Sequence, residues 1–273
     1  MNNIKSIWSI INLTPEKNAT RSVGLDILRI LGYEIDPVPK WKQIALDADV
    51  TENIIPSVYP QPYSEVDQRG FLQLFDWNMF VFMFIRNPFD RFVSSYMHVN
   101  RDIMGGSNIL PEYIDKDVIK FDLPIIKENQ LKCFKDFCFL IVDGWKDLQS
   151  KGELFNHNPH IIKQTEVINA YVWGLWCNSQ CEELEGYDIK EYIRDGKVNL
   201  YKIENYVEEF KRLKLDLEKK GIKIFELPLQ PKKIGNTSKY KFSTDYRDWY
   251  DKETIDVVTL MFQDELEMFG YEF

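Results

Sequence analysis

Two short segments of the chain carry the residue types that bind anions. The first has the sequence Lys17-Asn18-Ala19-Thr20-Arg21-Ser22. It lies between an apolar stretch typical of a strand and a stretch with helical periodicity. At a helix start, unpaired backbone N–H groups and the helix dipole attract anions, and here Lys17 adds charge while Thr20 and Ser22 add hydroxyl donors. An ordinary helix start, capped by Thr20 or Ser22 beside a solvated lysine, fits the same residues equally well.

The second segment has the sequence Arg86-Asn87-Pro88-Phe89-Asp90-Arg91-Phe92-Val93-Ser94. Arg86 follows a continuously apolar stretch, and Pro88 is a favoured first residue of a helix, so we expect Ser94 about two turns into that helix. Arg86 can contact a phosphate through two parallel N–H groups, and Ser94 can add a hydroxyl. The alternative is a surface ion pair of Arg86 or Arg91 with Asp90. Together, the two segments predict a ligand with two anionic ends.

A P-loop kinase or NTPase is an alternative class that also binds phosphates at strand-to-helix turns. Its loop, G-x-x-x-x-G-K-S/T, has glycines before the lysine, whereas no glycine precedes Lys17. That class also needs a magnesium-binding carboxylate after a second strand, and here Arg86 and Asn87 follow the central strand instead. The kinase alternative is therefore disfavoured, and a non-catalytic nucleotide-binding module is a further alternative.

The two segments resemble the donor motifs of the PAPS-dependent sulfotransferases. The first is similar to the 5′-phosphosulfate loop, P-K-x-A-S/C-T-S/N, with Glu16 inserted before Lys17 and Arg21 in place of a threonine. The second, extended to residues 85–96, closely matches the 3′-phosphate motif, V-R-D/N-P-F/I/L-E/D-R-L/F-V-S-x-Y. Weaker similarities follow in the family's order at residues 160–164, 201–205, 235–238 and 269–271. The resemblance is greatest to carbohydrate sulfotransferases of the Golgi and heparan 2-O types and to their bacterial relatives.

The resemblance implies transfer of a sulfuryl group from 3′-phosphoadenylyl sulfate (PAPS) to an acceptor hydroxyl on an oligo- or polysaccharide, with release of adenosine 3′,5′-bisphosphate (PAP). The first segment would hold the phosphosulfate, with Lys17 neutralising charge on the bridging oxygen. Arg86 and Ser94 would hold the 3′-phosphate. The residues that would add further donor contacts are Asn236 and Ser238. No metal is required, because a sulfuryl group carries less charge than a phosphoryl group.

A general base must accept the proton of the acceptor hydroxyl, and histidine suits this role near neutral pH. His160 is the first candidate, because it begins a similarity to the family's H-W-x-P-Q element, in which Lys163 stands where proline is usual. A purely structural role fits His160 equally well. His98, about one turn after Ser94, is the second candidate. The third candidates are Glu65 and Asp67.

Composition limits the class of protein. The 273 residues are 44% hydrophobic with a net charge of −9, which argues against a general nucleic-acid binder. No apolar run approaches the roughly 20 residues that cross a bilayer, and Met1–Thr14 lacks a signal-peptide layout, so we expect a soluble, cytoplasmic protein. The spacings of Cys133 with Cys138 and of Cys177 with Cys181 favour structural or free thiols over a zinc site.

The hydrophobic pattern predicts an α/β fold, with a mostly parallel central sheet flanked by helices. We predict a single domain with inserted loops near residues 36–76 and 101–129, and the resemblance implies that it is P-loop-NTPase-like. The predicted strands are Ile7–Leu13, Met79–Ile85, Val198–Lys202 and Lys223–Leu227. The predicted helices are Val23–Leu31, one from Pro88, Val207–Lys220 and one within Asp251–Phe269. The proline-rich Asp36–Tyr63 and the mixed Asp102–Asn129 are expected to be loops, with a short helix near Trp41–Asp47, and Phe134–Phe139 fits either a helix or a strand.

Overall fold

The computed structural model describes residues 10–13, 23, 26–27, 30, 54–58, 80–104, 127–151, 161, 163–169, 188–225 and 243–273. Contacts within the chain divide it into two compact units. The first unit comprises Met1–Ile85 and Gln164–Lys233, and the second comprises Arg86–Lys163 and Ile234–Phe273. The single domain with two inserted loops stays a prediction.

The first unit contains a parallel sheet. Its strands are β1 (Ile10–Leu13), β2 (Ile54–Val58), β3 (Phe80–Ile85) and β4 (Asn199–Lys202), in the order β2-β1-β3-β4. All three neighbouring pairs are parallel, and Ile85 at the end of β3 lies opposite Lys202 in β4. Every residue of β3 is buried, as its continuous apolar sequence predicts for a central parallel strand. The parallel sheet and its helices confirm the α/β class.

Strand β2 corrects the prediction of a continuous loop across Asp36–Tyr63. It is an outer strand of the described sheet and contains Pro56. A proline cannot donate to a ladder of hydrogen bonds, so it is tolerated in a strand at a sheet edge. The cluster of prolines therefore obscured a strand in the sequence.

One helix of the first unit packs on the sheet through aromatic side chains. The helices of this unit are α3 (Ile189–Arg194) and α4 (Tyr206–Lys219), with a 3₁₀ turn at Ile203–Asn205 and helical residues at 23, 26, 27, 30 and 164–169. The ring of Phe84 lies 5.5 Å from that of Tyr201 and 5.4 Å from that of Tyr206. Tyr206 also donates a 2.7 Å hydrogen bond to Oδ2 of Asp26, and both residues are buried. The helical residues that follow the first predicted anion segment are thus tied to the start of α4.

The predicted strand at Lys223–Leu227 is wrong for residues 223–225, which form no strand. Gly221, with a φ of 77°, ends the preceding helical turn, and the N–H of Phe225 donates to the carbonyl of Ile30. This bond to a helical residue is not part of a strand ladder. Residues 226–227 lie outside the described residues.

The second unit is helical. Its elements are α1 (Pro88–Met104), α2 (Lys127–Ser150), a 3₁₀ turn at Tyr246–Trp249 and α5 (Lys252–Phe269). Its core contains Phe92, Tyr96, Phe134, Phe137, Trp249 and Phe262. Both ends of the predicted loop Asp102–Asn129 are helical, because α1 continues to Met104 and α2 begins at Lys127. Helix α2 includes Phe134–Phe139, so this segment is helical and not a strand.

Helix α5 begins with a capping box. Asp251 accepts a 2.9 Å hydrogen bond from the N–H of Thr254, and the hydroxyl of Thr254 accepts one from the N–H of Asp251. Lys135 of α2 forms ion pairs with Asp251, at 2.8 Å, and with Glu253. The start of α5 is therefore fixed both by its own cap and by α2. Among the described helices, none is long and apolar enough to span a membrane.

Candidate active site

The start of α1 places Arg86 at the positive end of a helix. The N–H of Arg91 donates to the carbonyl of Asn87 and the N–H of Phe89 donates to its side-chain Oδ1, both at 2.9 Å. Asn87 is therefore the N-cap residue, and Pro88 is the first helical residue, as predicted. Arg86 directly precedes the cap, where the helix dipole favours an anion.

Arg86 begins a half-exposed stripe along α1. Among residues 86–98, only Arg86, Asp90, Ser94 and His98 are partly exposed, and all the others are buried. Because residues four apart share one face of a helix, the three helical members of this set lie one above the other. The Cα–Cβ bonds of a helix tilt toward its N-terminus, so the Cβ of Ser94 leans toward the end that carries Arg86. The structure thus brings Arg86, Ser94 and His98 to one face.

Arg86 forms an ion pair with Asp90. Its Nε lies 2.8 Å from Oδ2 of Asp90, and the two side chains are 18% and 25% exposed. The alternative interpretation of this segment is a surface ion pair of Arg86 or Arg91 with Asp90, and the pair with Arg86 is present. Arg91 is 1% exposed and does not lie at the surface. A partly exposed pair at this spacing contributes about 0.3–0.5 kcal/mol, so it orients the guanidinium but adds little to stability.

The Asn87 side chain also connects the start of α1 to residues far along the chain. Its Nδ2 donates to the carbonyl of Glu272 at 3.0 Å and to the hydroxyl of Tyr246 at 3.3 Å. Sequence reasoning missed this role of Asn87. The asparagine before Pro88 signalled a helix cap, but no local pattern indicates a distant partner.

Lys163 is anchored within the second unit. Its Nζ lies 3.0 Å from Oδ1 of Asp264 in α5 and 5.1 Å from the centre of the Trp145 ring in α2. Ile161, two residues earlier, is buried in the core of the same unit. The lysine that stands where the H-W-x-P-Q element has proline is thus a structural anchor.

A comparison with known protein families identifies the family of the chain. The model of the sulfotransferase family matches residues 47–272. The chain belongs to the sulfotransferase family. The match includes Arg86, Ser94 and His98, whereas the segment Lys17–Ser22 precedes the matched residues. No curated protein and no solved structure matches the chain.

Several residues predicted for the sulfotransferase site lie outside the described part of the chain. They are Lys17, Asn18, Ala19, Thr20, Arg21, Ser22, Glu65, Asp67, His160, Asn236 and Ser238. Their roles stay predictions. The exposed Glu204 is described, in the 3₁₀ turn after β4.

The cysteines of this sulfotransferase that the structure describes are free thiols. Cys138 is buried and Cys133 is partly exposed, which confirms the expectation for this pair. Burial raises the pKa of both thiols, so neutral thiols are favoured. Cys177 and Cys181 lie outside the described residues. Within the described ranges, no group of three or more His, Cys, Asp or Glu side chains is arranged to hold a metal ion.

Proposed function

We propose that this sulfotransferase uses PAPS as donor and transfers its sulfuryl group to a hydroxyl of a carbohydrate. The observation that carries the proposal is the half-exposed stripe that begins with Arg86 at the positive end of α1. The family match supports sulfuryl transfer. The motif resemblance supports PAPS, a P-loop-like fold and a sugar acceptor.

The chemistry of the stripe fits the 3′-phosphate of the donor. Arg86 offers a planar fork of N–H groups, which matches a phosphate in a bidentate contact. Ser94 offers a hydroxyl on the same face, and the dipole of α1 favours the added negative charge. Asp90 lies on the same face of α1 and pairs with Nε of Arg86, which orients the guanidinium.

The phosphosulfate end of the donor is assigned to the segment Lys17–Ser22. PAPS, when bound, supplies the sulfuryl group and a good leaving group. We propose that Lys17 neutralises the charge that develops on the bridging oxygen, and that Asn236 and Ser238 add contacts to the nucleotide. A preorganised cation in this role typically lowers the barrier by a few kcal/mol.

Position along α1 favours His160 over His98 as the general base. His98 lies one turn beyond Ser94 on the stripe proposed for the 3′-phosphate. A base must contact the acceptor hydroxyl near the sulfur, at the other end of the donor. His98 therefore suits an auxiliary contact near the nucleotide, and the proposal keeps His160 as the proton acceptor.

Ligand binding tests the donor class. Calorimetry should show that PAP binds more tightly than ATP, and that magnesium does not reverse this order. Arg86→Ala should weaken PAP binding. The matched control is Arg194→Ala, because Arg194 is an exposed arginine paired only loosely with Glu191 and Asp195, and it should bind PAP as the wild type does. A preference for ATP with magnesium would overturn the proposal.

Turnover tests the acceptor class. Labelled PAPS should transfer label to members of a panel of oligosaccharides, with phenols and hydroxyl-containing peptides as comparison acceptors. Transfer to phenols alone would contradict the carbohydrate assignment. PAP binding without transfer to any acceptor would favour the non-catalytic nucleotide-binding module instead.

A further inference from the structure

We propose that Asn87 is a positioning residue for the 3′-phosphate contact, because its amide ties the first turn of α1 to residues 271–273 and so holds Arg86 in orientation. The inference rests on the proposed function, in which Arg86 binds the 3′-phosphate. Asn87 itself has no place in the chemistry of transfer. Its effect on the donor passes through Arg86.

The side-chain amide of Asn87 both accepts and donates hydrogen bonds. Oδ1 accepts the N–H of Phe89 and so caps α1, while Nδ2 donates to the carbonyl of Glu272 and to the hydroxyl of Tyr246. Serine or aspartate can perform the capping task, but an ionised carboxylate has no donor and a hydroxyl has only one. The side chain is buried, with 7% of the residue exposed. The donating half of the amide is therefore what distinguishes asparagine at this position.

Residues 271–273, which accept the hydrogen bond from Asn87 through the carbonyl of Glu272, are held in place by their own contacts. Gly270 ends α5 in the left-handed conformation, with a φ of 62°, and the N–H of Tyr271 donates to the carbonyl of Leu266 at 3.0 Å. Left-handed backbone is costly for residues with a Cβ, so the glycine permits this reversal. The tether from Asn87 thus ends on a segment fixed to α5.

An aromatic cluster supports the same connection. The ring of Phe273 lies 5.0 Å from that of Phe89, 5.4 Å from that of Tyr250 and 5.9 Å from that of Tyr246. The hydroxyl of Tyr250 donates to the carbonyl of Phe89 at 3.0 Å. Such edge-to-face pairs stabilise the packing beyond the burial of the rings. The first turn of α1 is consequently packed and hydrogen-bonded on the side of residues 271–273.

Arg86 is held at two points by this arrangement. Its backbone leads directly into the tethered cap, and its Nε is bonded to Asp90, one turn into α1. An arginine side chain loses considerable conformational entropy when it is ordered on a ligand. Holding the backbone and the guanidinium before binding reduces that loss, which strengthens the contact to phosphate.

The test compares PAP with AMP, which differ only in the 3′-phosphate. Calorimetry on the full chain should show that Asn87→Ser, which keeps a capping oxygen and removes the amide, weakens PAP binding by about tenfold, the equivalent of one or two hydrogen bonds. AMP binding should change by less than about twofold, since AMP makes no contact with Arg86 through a 3′-phosphate. In an Arg86→Ala background, Asn87→Ser should cause no further loss of PAP binding.

A cap elsewhere in the same unit provides the control. Thr254→Ala removes the hydroxyl that accepts the N–H of Asp251 in the capping box of α5 and should lower thermal stability while leaving the ratio of PAP to AMP affinity unchanged. Should Asn87→Ser fail to fold, Tyr246→Phe removes one acceptor of the amide and should lower the same ratio to a smaller degree.

The outcomes separate this inference from the function on which it rests. If Arg86→Ala weakens PAP binding more than AMP binding, but Asn87→Ser weakens the binding of both nucleotides equally, Asn87 is merely structural and the inference is wrong. Additive losses in the double variant would have the same meaning. If Arg86→Ala itself weakens PAP and AMP equally, the 3′-phosphate assignment fails, and the positioning role fails with it.

Discussion

The hydroxyl of Tyr206 donates a 2.7 Å hydrogen bond to Oδ2 of Asp26, a partner 180 positions earlier in the chain. Both residues are buried, and Asp26 lies among the helical residues that follow Lys17–Ser22. This bond joins the start of α4 to the helical residues that follow the proposed phosphosulfate loop.

Tyr206→Phe should therefore lower the free energy of unfolding by about 2 kcal/mol, because a buried hydrogen bond to a carboxyl group is lost. Urea denaturation measures the change. Tyr201→Phe is the matched comparison, since its hydroxyl donates to Asp216, whose side chain is 26% exposed. Water can replace that bond, so we expect a smaller loss. Equal losses in the two variants would contradict the importance of burial.

Lys17→Ala should lower kcat by about 10²–10³-fold while PAP binding changes much less, because the charge on the bridging oxygen develops only in the transition state. Single-turnover transfer from labelled PAPS measures the rate, and calorimetry with PAP measures binding. An unchanged rate would remove Lys17 from the mechanism.

Ser94→Ala should weaken PAP binding by about three- to tenfold, as expected for the loss of one hydrogen bond to a charged phosphate. Ser95→Ala is an adjacent control of the same residue type. The hydroxyl of Ser95 is buried and donates to the carbonyl of Arg91, so its loss should affect stability but not PAP affinity. A larger effect on binding from Ser95 than from Ser94 would contradict the assignment of the exposed stripe.

Stability should depend on pH through Asp251. The hydrogen-bonded ion pair with Lys135, together with the hydrogen bonds from Thr254, lowers the pKa of Asp251 to about 2 from the ordinary value of 3.8. A lowered pKa in the folded state means that the ionised carboxylate stabilises the fold above pH 3.8 and that this contribution disappears as the pH falls toward 2.

Asp251→Asn isolates that contribution, since asparagine keeps a capping oxygen and removes the charge. Its free energy of unfolding should be below that of the wild type at pH 6, and the difference should shrink between pH 4 and pH 2. In a Lys135→Met background the substitution should cost much less. A difference that stays constant across this pH range would exclude the ion pair as its cause.

The elements whose hydrophobic pattern fits only one type of secondary structure were predictable from the sequence. The continuous apolar run of β3 and the spacing of Val258, Met261, Phe262 and Phe269 in α5 each indicate one type of element, and both elements are present. In α2, Lys135 and Asp136 stand between Phe134 and Phe137, and these two buried residues, together with the buried Ile141, follow a helical spacing. The six residues Phe134–Phe139 are too few to distinguish this spacing from that of a strand, so the sequence alone left both possibilities open.

The candidate site was predictable only where its contacts are local. Arg86 and Ser94 belong to one uninterrupted motif, so their common face follows from the period of a helix. The bond from Asn87 to Glu272 joins residues 185 positions apart. It depends on where α5 ends and how Gly270 turns the backbone, which no pattern around Asn87 encodes.

The two outer strands of the described sheet are poor templates for another chain. Strand β2 lacks a backbone donor at Pro56, and in β4 the carbonyl of Leu200 already accepts a hydrogen bond from Arg212, whose guanidinium also covers the ring of Tyr201 at 4.5 Å. Exposed strand edges with a complete row of donors and acceptors promote edge-to-edge aggregation. Pro56 interrupts the row of backbone donors in β2, and Arg212 engages one backbone acceptor of β4, and both features disfavour extension of the described sheet by a strand from a second molecule.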